Sequence, residues 1–334
     1  MLKLGYKASA EQFGPNELLD FSCAAEEVGF DSVFISDHFQ PWKHTDGHAP
    51  ASIPWLGALG ARTKRIVIGT SVMTPTFRYH PSIVAQAFAT LAVMFPGRVV
   101  LGLGSGESLN DVPALGFKWP GFKERTARLL ESIKLMRQLW NEERVTFEGQ
   151  YYKTEKATIY DRPDTPVPIY VAAAGALVAR YAGRSAEGFI CTSGKKPELY
   201  TETLLPKVAE GIAASEDPSR SYDRMIEVKV SFDTDKVRAL EDTRHWAALA
   251  LTPEEKMTVE DPVEMQRLAD ALPLERAASR WIVSSDADEH VERIGYYVGL
   301  GFRNLVFHAP GPDQARFLKL YGEHVLPRLR KRFG

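Results

Sequence analysis

Short apolar runs alternate with longer amphipathic segments along most of this chain. The runs predict β-strands, and the segments between them predict helices with one buried face. The predicted strands are 3–7, 32–36, 65–72, 98–104, 167–172, 188–192, 226–232 and 304–308. Eight strands that alternate with helices predict a (β/α)8 TIM barrel, a fold of the α/β class, rather than an open sheet.

Two insertions interrupt this alternation. After the fourth helix, predicted at 122–140, residues 145–152 alternate and turn, which predicts a hairpin. After strand seven, residues 234–280 form an acid-rich, helical segment that is too long for a barrel loop, and such segments usually serve binding. We expect one TIM-barrel domain over 1–334, to which this insertion is attached.

Composition limits the possible partners. The 334 residues carry a net charge of −2, which gives no electrostatic reason to bind nucleic acid or an anionic membrane. The N-terminus lacks the apolar core of a signal peptide, and Cys23 and Cys191 form no disulfide framework. We therefore expect a cytoplasmic enzyme without a nucleic-acid or membrane partner.

The strongest chemical signal follows predicted strand two, where Asp37 and His38 are followed four residues on by Trp42. Carboxyl ends of barrel strands carry the chemistry of such folds, so His38 is a candidate catalytic group. Together with His44 and His48 the pair could form a metal site. No cysteine or second carboxylate cluster completes a ligand set, and we predict no metal.

Predicted strand four ends in a glycine-rich turn, Gly102 to Glu107. The turn is not a dinucleotide-binding motif, because Glu107 stands where the third glycine is required. Its glycines would still let a flat ring or a phosphate approach the backbone. Glu107 is either a group in the same mouth as His38 or a solvated loop acid.

Three cations have two interpretations each. Thr192 to Lys195, at the end of strand six, combines backbone donors, hydroxyls and an ammonium, which suits a phosphate or a simple helix-entry turn. Lys256 and Arg280, within the second insertion and at its end, are equally compatible with solvated surface charge.

Taken together, the segments 2–13, 36–42, 69–72, 74–79, 188–195 and 307–311 give the chain a family resemblance. It resembles the bacterial-luciferase-like barrel superfamily and, within it, the F420-dependent glucose-6-phosphate dehydrogenases, nearly end to end. The resemblance implies oxidation of glucose 6-phosphate at C1 to the lactone. The hydride goes to C5 of coenzyme F420, an 8-hydroxy-5-deazaflavin. It also implies a homodimer.

The resemblance implies four catalytic residues. His38 would take the proton of the C1 hydroxyl, Trp42 would hold the sugar, and Glu107 would protonate N1 of the deazaflavin. Glu11 would orient the substrate hydroxyl or share the proton work. The division of roles among Glu11, His38 and Glu107 stays open.

The same resemblance implies two binding sets. Ser71 and Val72 would be joined by a non-prolyl cis peptide that supports the deazaflavin ring. The implied cofactor contacts are Asp37, His38, Ser71, Val72, Thr74, Gly106, Glu107, Ala173 and Gly175. The insertion would contribute to the sugar-phosphate site, whose implied residues are Thr192, Lys195, Lys256 and Arg280.

Two positions depart from the resemblance. Met257 stands where family members often carry a histidine, so another sugar 6-phosphate stays open as substrate. Residues 111–116, interpreted as a loop, also differ from the family pattern.

An FMN-dependent luciferase-like monooxygenase and a non-catalytic deazaflavin carrier are the alternative functions. The first gives the three cations no reason to converge, and the second leaves Glu11 and His38 unexplained.

Overall fold

A computed structural model describes residues 1–256 and 259–334. Most of its β-strands form one parallel sheet that closes on itself. In chain order the strands are β1 (Lys3–Ala8), β2 (Ser32–Ile35), β3 (Val67–Thr70), β4 (Val99–Leu103), β5 (Val145–Glu148), β6 (Lys153–Ala157), β7 (Ile169–Ala172), β8 (Gly188–Thr192), β9 (Asp223–Phe232), β10 (Ile282–Ser284) and β11 (Asn304–His308).

Eight of these strands form the barrel. The order β1-β2-β3-β4-β7-β8-β9-β11 closes because β11 pairs in parallel with β1, where Gly5 lies opposite Val306. The predicted (β/α)8 barrel is confirmed. The short strand β10 adds to the far half of β9, where Ile282 lies opposite Val230.

Helices cover the outside of the barrel. They are α1 (Pro15–Val28), α2 (Ser52–Arg62), α3 (Pro81–Met94), α4 (Ser108–Leu115), α5 (Phe122–Asn141), α6 (Ala176–Ser185), α7 (Leu205–Ala213), α8 (Lys236–Glu241), α9 (Pro253–Lys256), α10 (Pro262–Asp270), α11 (Leu274–Ala278), α12 (Ala287–Gly299), α13 (Gln314–Leu320) and α14 (Leu326–Phe333). Helix α1 starts at a proline and ends on Gly29 in the left-handed conformation, as the sequence predicted.

Several predicted bounds are wrong; strand seven, for instance, begins at Asp223 rather than at residue 226. Strand three was predicted from residue 65, but the backbone N–H groups of Arg65 and Ile66 donate to the Glu26 carboxylate, at 2.8 Å each, and β3 starts later. The hairpin extends to Ala157 rather than ending at 152. Residues 111–116 are mostly helical rather than a loop: α4 tolerates Pro113 and ends on Gly116 in the left-handed conformation.

Two apolar layers build the core. Inside the barrel, Phe34, Val100, Tyr170, Ile190, Met225 and Val306 form one cluster. A larger cluster lies between the barrel and its helices and includes the predicted core residues Phe88 and Trp140. These layers fix the strands, so the residues that follow each strand are held on a rigid support.

The second insertion contains α8 to α11 and carries its own small hydrophobic cluster. Ala247, Leu251 and Met265 are among its buried members, and Trp42, from the loop after β2, packs against it. The insertion therefore touches the loop that follows the predicted catalytic strand.

The amino end of the barrel holds a cavity of about 720 Å³. Phe34, Val100 and Tyr170 line its floor, and a proline-rich segment, 163–168, covers one side. No helix in the described ranges combines the length and apolar character that a bilayer crossing requires.

Candidate active site

His38 and Glu11 form the centre of a site at the carboxyl end of the barrel. His38 follows β2 and Glu11 follows β1, and the two strands pair in parallel, so their ends are neighbours. His38 Nε2 lies 3.3 Å from Glu11 Oε1, which also accepts a 2.7 Å hydrogen bond from Ser36 Oγ. Burial raises the pKa of Glu11, but His38, Lys7 and Ser36 outweigh it and lower the pKa overall. The carboxylate is therefore ionised beside the imidazole.

Glu107 and Trp42 complete the surroundings of His38. Glu107 Oε2 lies 3.7 Å from His38 Nε2, and the Glu107 side chain is 49% exposed, in contrast to 6% for Glu11. The Trp42 ring centre lies 6.1 Å from that of His38. One imidazole thus stands between a buried and a solvent-accessible carboxylate.

The loop that carries His38 is held in place by hydrogen bonds to a side chain of helix α4. Asn110, in α4, accepts hydrogen bonds from the backbone N–H groups of Phe39 at 2.8 Å and Gln40 at 3.1 Å. Asn110 was not predicted as a site residue. A signal was available only in its position three residues after Glu107.

Asp37 is buried and bound to the protein by both carboxylate oxygens. Oδ1 accepts from Ser52 Oγ at 2.7 Å, and Oδ2 accepts from the Arg78 guanidinium at 2.9 Å. The same Arg78 also reaches Asp111 at 3.2 Å. Burial raises the pKa of Asp111, and Arg78 opposes that shift. The predicted contact of Asp37 with a cofactor stays a prediction.

A cavity of about 520 Å³ opens beside His38. Its lining includes every residue of the implied cofactor set: Asp37, His38, Ser71, Val72, Thr74, Gly106, Glu107, Ala173 and Gly175. The Ser71–Val72 peptide bond is cis, as the resemblance implied.

Glycines shape the wall of this cavity. Gly106 has φ of +88°, and a Cβ atom there would lie 2.8 Å from Asp111 Oδ2. A Cβ atom on Gly175 would meet no protein atom within 4 Å, so this residue leaves open space at the start of α6. Gly106 is therefore required by its left-handed turn and close packing, whereas Gly175 leaves the cavity wall open beside a helix N-terminus.

The predicted phosphate-binding residues converge on the same mouth. Thr192 and Lys195 line the cavity, and the Arg280 guanidinium donates to Ser193 O at 3.2 Å, next to Lys195. Lys256 Nζ lies 4.8 Å from the centre of the Trp42 ring. Partial loss of hydration, followed by the charges of Arg280, Lys256 and Lys229, lowers the pKa of Lys195 to about 8.

Sequence reasoning missed a charged network beneath these cations. Glu227 and Lys229, two residues apart in β9, are joined by a 3.1 Å contact between Oε1 and Nζ. Lys7 Nζ, from β1, lies 3.6 Å from Glu227 Oε2 and donates to Ser71 O at 2.6 Å. Charged residues at alternate positions of an otherwise apolar strand were the available signal.

The departure at Met257 lies outside the described residues. Within residues 1–256 and 259–334, no three His, Cys, Asp or Glu side chains are arranged so that they could hold a metal ion.

Comparison with known proteins identifies relatives of this chain. The sequence profile of the luciferase-like monooxygenase family matches residues 2–304. A curated F420-dependent glucose-6-phosphate dehydrogenase of Nakamurella multipartita is 66% identical, with 100% of this chain and 98% of the relative covered. One of Mycolicibacterium smegmatis is 58% identical, with 99% and 98% covered.

A solved structure agrees with the fold. The chain superposes on an F420-dependent secondary alcohol dehydrogenase in complex with an F420–acetone adduct with a TM-score of 0.92. The two are 34% identical, and 98% of this chain and 99% of that chain are covered.

Proposed function

This chain belongs to the luciferase-like monooxygenase family, and from that membership we propose that it is an F420-dependent glucose-6-phosphate dehydrogenase. It oxidises glucose 6-phosphate at C1 to 6-phosphogluconolactone and produces reduced F420. The full-length similarity to curated enzymes of that activity supports the assignment.

One observation from the geometry carries the proposal. The His38–Glu11 pair, with Nε2 and Oε1 3.3 Å apart, opens onto the same cavity as Lys195 and Thr192. A base for an alcohol proton and a cationic site for a dianion therefore share one mouth. A sugar phosphate contains both groups, one at each end of the molecule.

The cavity wall fits the proposed cofactor. The missing Cβ atom at Gly175 leaves open space at the cavity wall, and the N-terminus of α6 favours an anionic linker. When bound, the deazaflavin accepts the hydride that leaves C1 of the sugar.

In this mechanism His38 Nε2 takes the proton of the C1 hydroxyl as the C1–H bond breaks and the carbonyl of the lactone forms. The two electrons of that bond leave with the hydride. Glu11 holds the imidazole and stabilises its protonated form, because its ionised carboxylate lies 3.3 Å away. Ser36 fixes the Glu11 carboxylate through its 2.7 Å hydrogen bond.

We assign the second proton to Glu107. Its side chain is 49% exposed and lines the cavity, so it would supply a proton to ring atom N1 when the deazaflavin is bound. Trp42 supports the sugar against the His38 side of the mouth.

We assign the sugar phosphate to Thr192, Lys195, Lys256 and Arg280, a set we call the clamp. Two of the cations belong to the insertion, which would therefore contribute to the site, with the whole chain acting as one domain. Ionised donors bind a phosphate dianion strongly, and Arg280 can contact two oxygens at once.

A homodimer in the cytoplasm is the expected state. Residues 81–94 of α3 carry no charged side chain, yet Ile83, Val93 and Met94 are exposed. An exposed apolar helix face without charge is typical of a subunit interface, which supports the homodimer. Sedimentation at micromolar concentration distinguishes a dimer from a monomer.

Cys23 and Cys191 are both free thiols, which suits a reducing compartment such as the cytoplasm.

The test follows the fluorescence of oxidised F420 mixed with the enzyme and glucose 6-phosphate. Loss of fluorescence that requires the sugar phosphate supports the proposal, with NADP and FMN as control acceptors. Faster loss of fluorescence with mannose 6-phosphate or fructose 6-phosphate would assign that sugar phosphate as the preferred substrate. No loss with any sugar phosphate would contradict the proposal, and oxygen uptake with reduced FMN would support the monooxygenase instead.

A further inference from the structure

Glu227, whose side chain is 13% exposed, is a carboxylate that the proposed mechanism does not use. It lies in the middle of β9, and its side chain lines the cavity together with His38, Ser71 and Lys195. Oε1 is held by Lys229 Nζ at 3.1 Å and lies 3.3 Å from His308 Nδ1. Two partners on one oxygen fix the direction in which the carboxylate points.

The second oxygen is not used in this way. In the described part of the chain Oε2 accepts no hydrogen bond: Lys7 Nζ, 3.6 Å away, is beyond hydrogen-bond distance and donates to Ser71 O. Burial raises the pKa of Glu227, but Lys229, Lys7 and His308 together hold it well below its usual range. Oε2 is thus an ionised acceptor at the cavity wall.

The neighbours of Glu227 locate it between the two ends of the proposed substrate. On one side, Thr192 of β8 lies directly opposite Glu227 in the strand pairing, which places the carboxylate beside the clamp. On the other side, Lys7 Nζ lies 3.6 Å from Glu227 Oε2, and Lys7 belongs to β1, the strand that Glu11 follows. The ring of a sugar bound by its phosphate and its C1 hydroxyl would pass this point.

We propose that Glu227 Oε2 accepts a hydrogen bond from one ring hydroxyl of the sugar and so determines which sugar 6-phosphates are oxidised. The inference rests on the proposed function. A carboxylate held by Lys229 and His308 is a preorganised acceptor, and a site built around such a group discriminates strongly against substrates that lack the hydroxyl.

The experiment combines a substitution in the protein with removal of a single hydroxyl from the substrate, as in a double-mutant cycle. Wild type and Glu227→Gln are compared by kcat/KM on glucose 6-phosphate and on its 2-deoxy, 3-deoxy and 4-deoxy analogues. We expect Glu227→Gln to lose about 10- to 100-fold on glucose 6-phosphate. On one deoxy analogue, which wild type also oxidises poorly, the same substitution should cost at most about threefold.

A purely structural role gives a different result, namely an equal loss on all four substrates, and that result would overturn the inference. Glu227→Asp, which keeps the charge among the two lysines, is the second variant and should show the same dependence on a single hydroxyl. F420 affinity, measured by fluorescence, checks that both variants keep the cavity. If wild type reduces no F420 with any sugar 6-phosphate, the proposed function fails first and the inference with it.

Discussion

The two ends of the barrel are built from the same strands but differ in kind. The amino end contains the larger cavity, about 720 Å³, whose floor is Phe34, Val100 and Tyr170. The carboxyl end contains a cavity of about 520 Å³ bordered by His38, Glu107, Glu227 and Lys195. Cavity size alone would therefore select the wrong end.

The difference teaches how to recognise the functional end. Charged groups are costly to bury unless they are paired, so a dense set of buried, partly satisfied charges marks a place where a polar ligand completes the pairing. At the carboxyl end, Glu11 Oε2 and Arg280 Nε, both on ionised side chains, are buried without a partner in the described residues. The amino end has Ser32 Oγ and Asn304 Oδ1 in that state, but both are neutral.

The largest expected effect is at the centre of the carboxyl end. Replacing His38 by alanine should lower kcat by about 10²- to 10⁴-fold, because the base for the C1 hydroxyl is lost. F420 should still bind, as measured by fluorescence titration. His44→Ala, in an exposed part of the same loop, is the control and should keep wild-type turnover. Retained turnover in His38→Ala would remove His38 as the base.

The clamp should show as an effect on KM. Lys195→Ala should raise the KM for glucose 6-phosphate by about 10- to 100-fold with a much smaller change in kcat, because a charged partner of the phosphate is removed. Lys196→Ala, which removes the neighbouring lysine outside the cavity lining, is the matched control. Equal KM values in the two variants would discard Lys195 as a phosphate ligand.

Two serines compare the ends of one strand directly. Ser36→Ala removes the 2.7 Å hydrogen bond to Glu11 and should lower kcat by roughly 3- to 10-fold. Ser32→Ala removes a buried hydroxyl with no partner among the described residues, so kinetic constants should not change. Thermal unfolding should show Ser32→Ala equal to wild type or more stable by up to about 1 kcal/mol. A larger loss of kcat in Ser32→Ala than in Ser36→Ala would contradict the functional difference between the two ends of the barrel.

The last prediction concerns pH dependence. Because the pKa of Lys195 is lowered to about 8, its proton is lost as the pH rises through that value, and the KM for the sugar phosphate should rise at higher pH. The rise is at most about tenfold for each further pH unit. Lys195→Arg stays charged and should flatten this limb. An unchanged alkaline limb in Lys195→Arg would assign the titration to another group.

Much of this architecture was predictable because local patterns and the final fold agree. The eight barrel strands were located from apolar runs, and Asp37–His38 stood out because polar residues followed a buried strand. The resemblance then supplied Glu11, Ser71 and the clamp. The helix α4 was missed because Pro113 suggests a break, although the left-handed Gly116 closes a short helix after it.

The network of Lys7, Glu227 and Lys229 could not be predicted in the same way. Lys7 and Glu227 are 220 residues apart in sequence and lie on strands β1 and β9, which are separated by β11. Only closure of the barrel brings Lys7 to 3.6 Å from Glu227. The sequence contained the charges, but their partners depend on long-range register.

The separate hydrophobic cluster of the insertion has a consequence for local stability. Four of its six buried members are alanines (Ala247, Ala248, Ala269 and Ala277), so the cluster buries little apolar area compared with the barrel. The free energy of opening this segment is therefore smaller than that of global unfolding, and its amides should exchange with solvent before those of the strands. A phosphate held jointly by Lys195 of the barrel and Lys256 of the insertion would slow that exchange, so substrate occupancy would be visible as protection far from the reacting carbon.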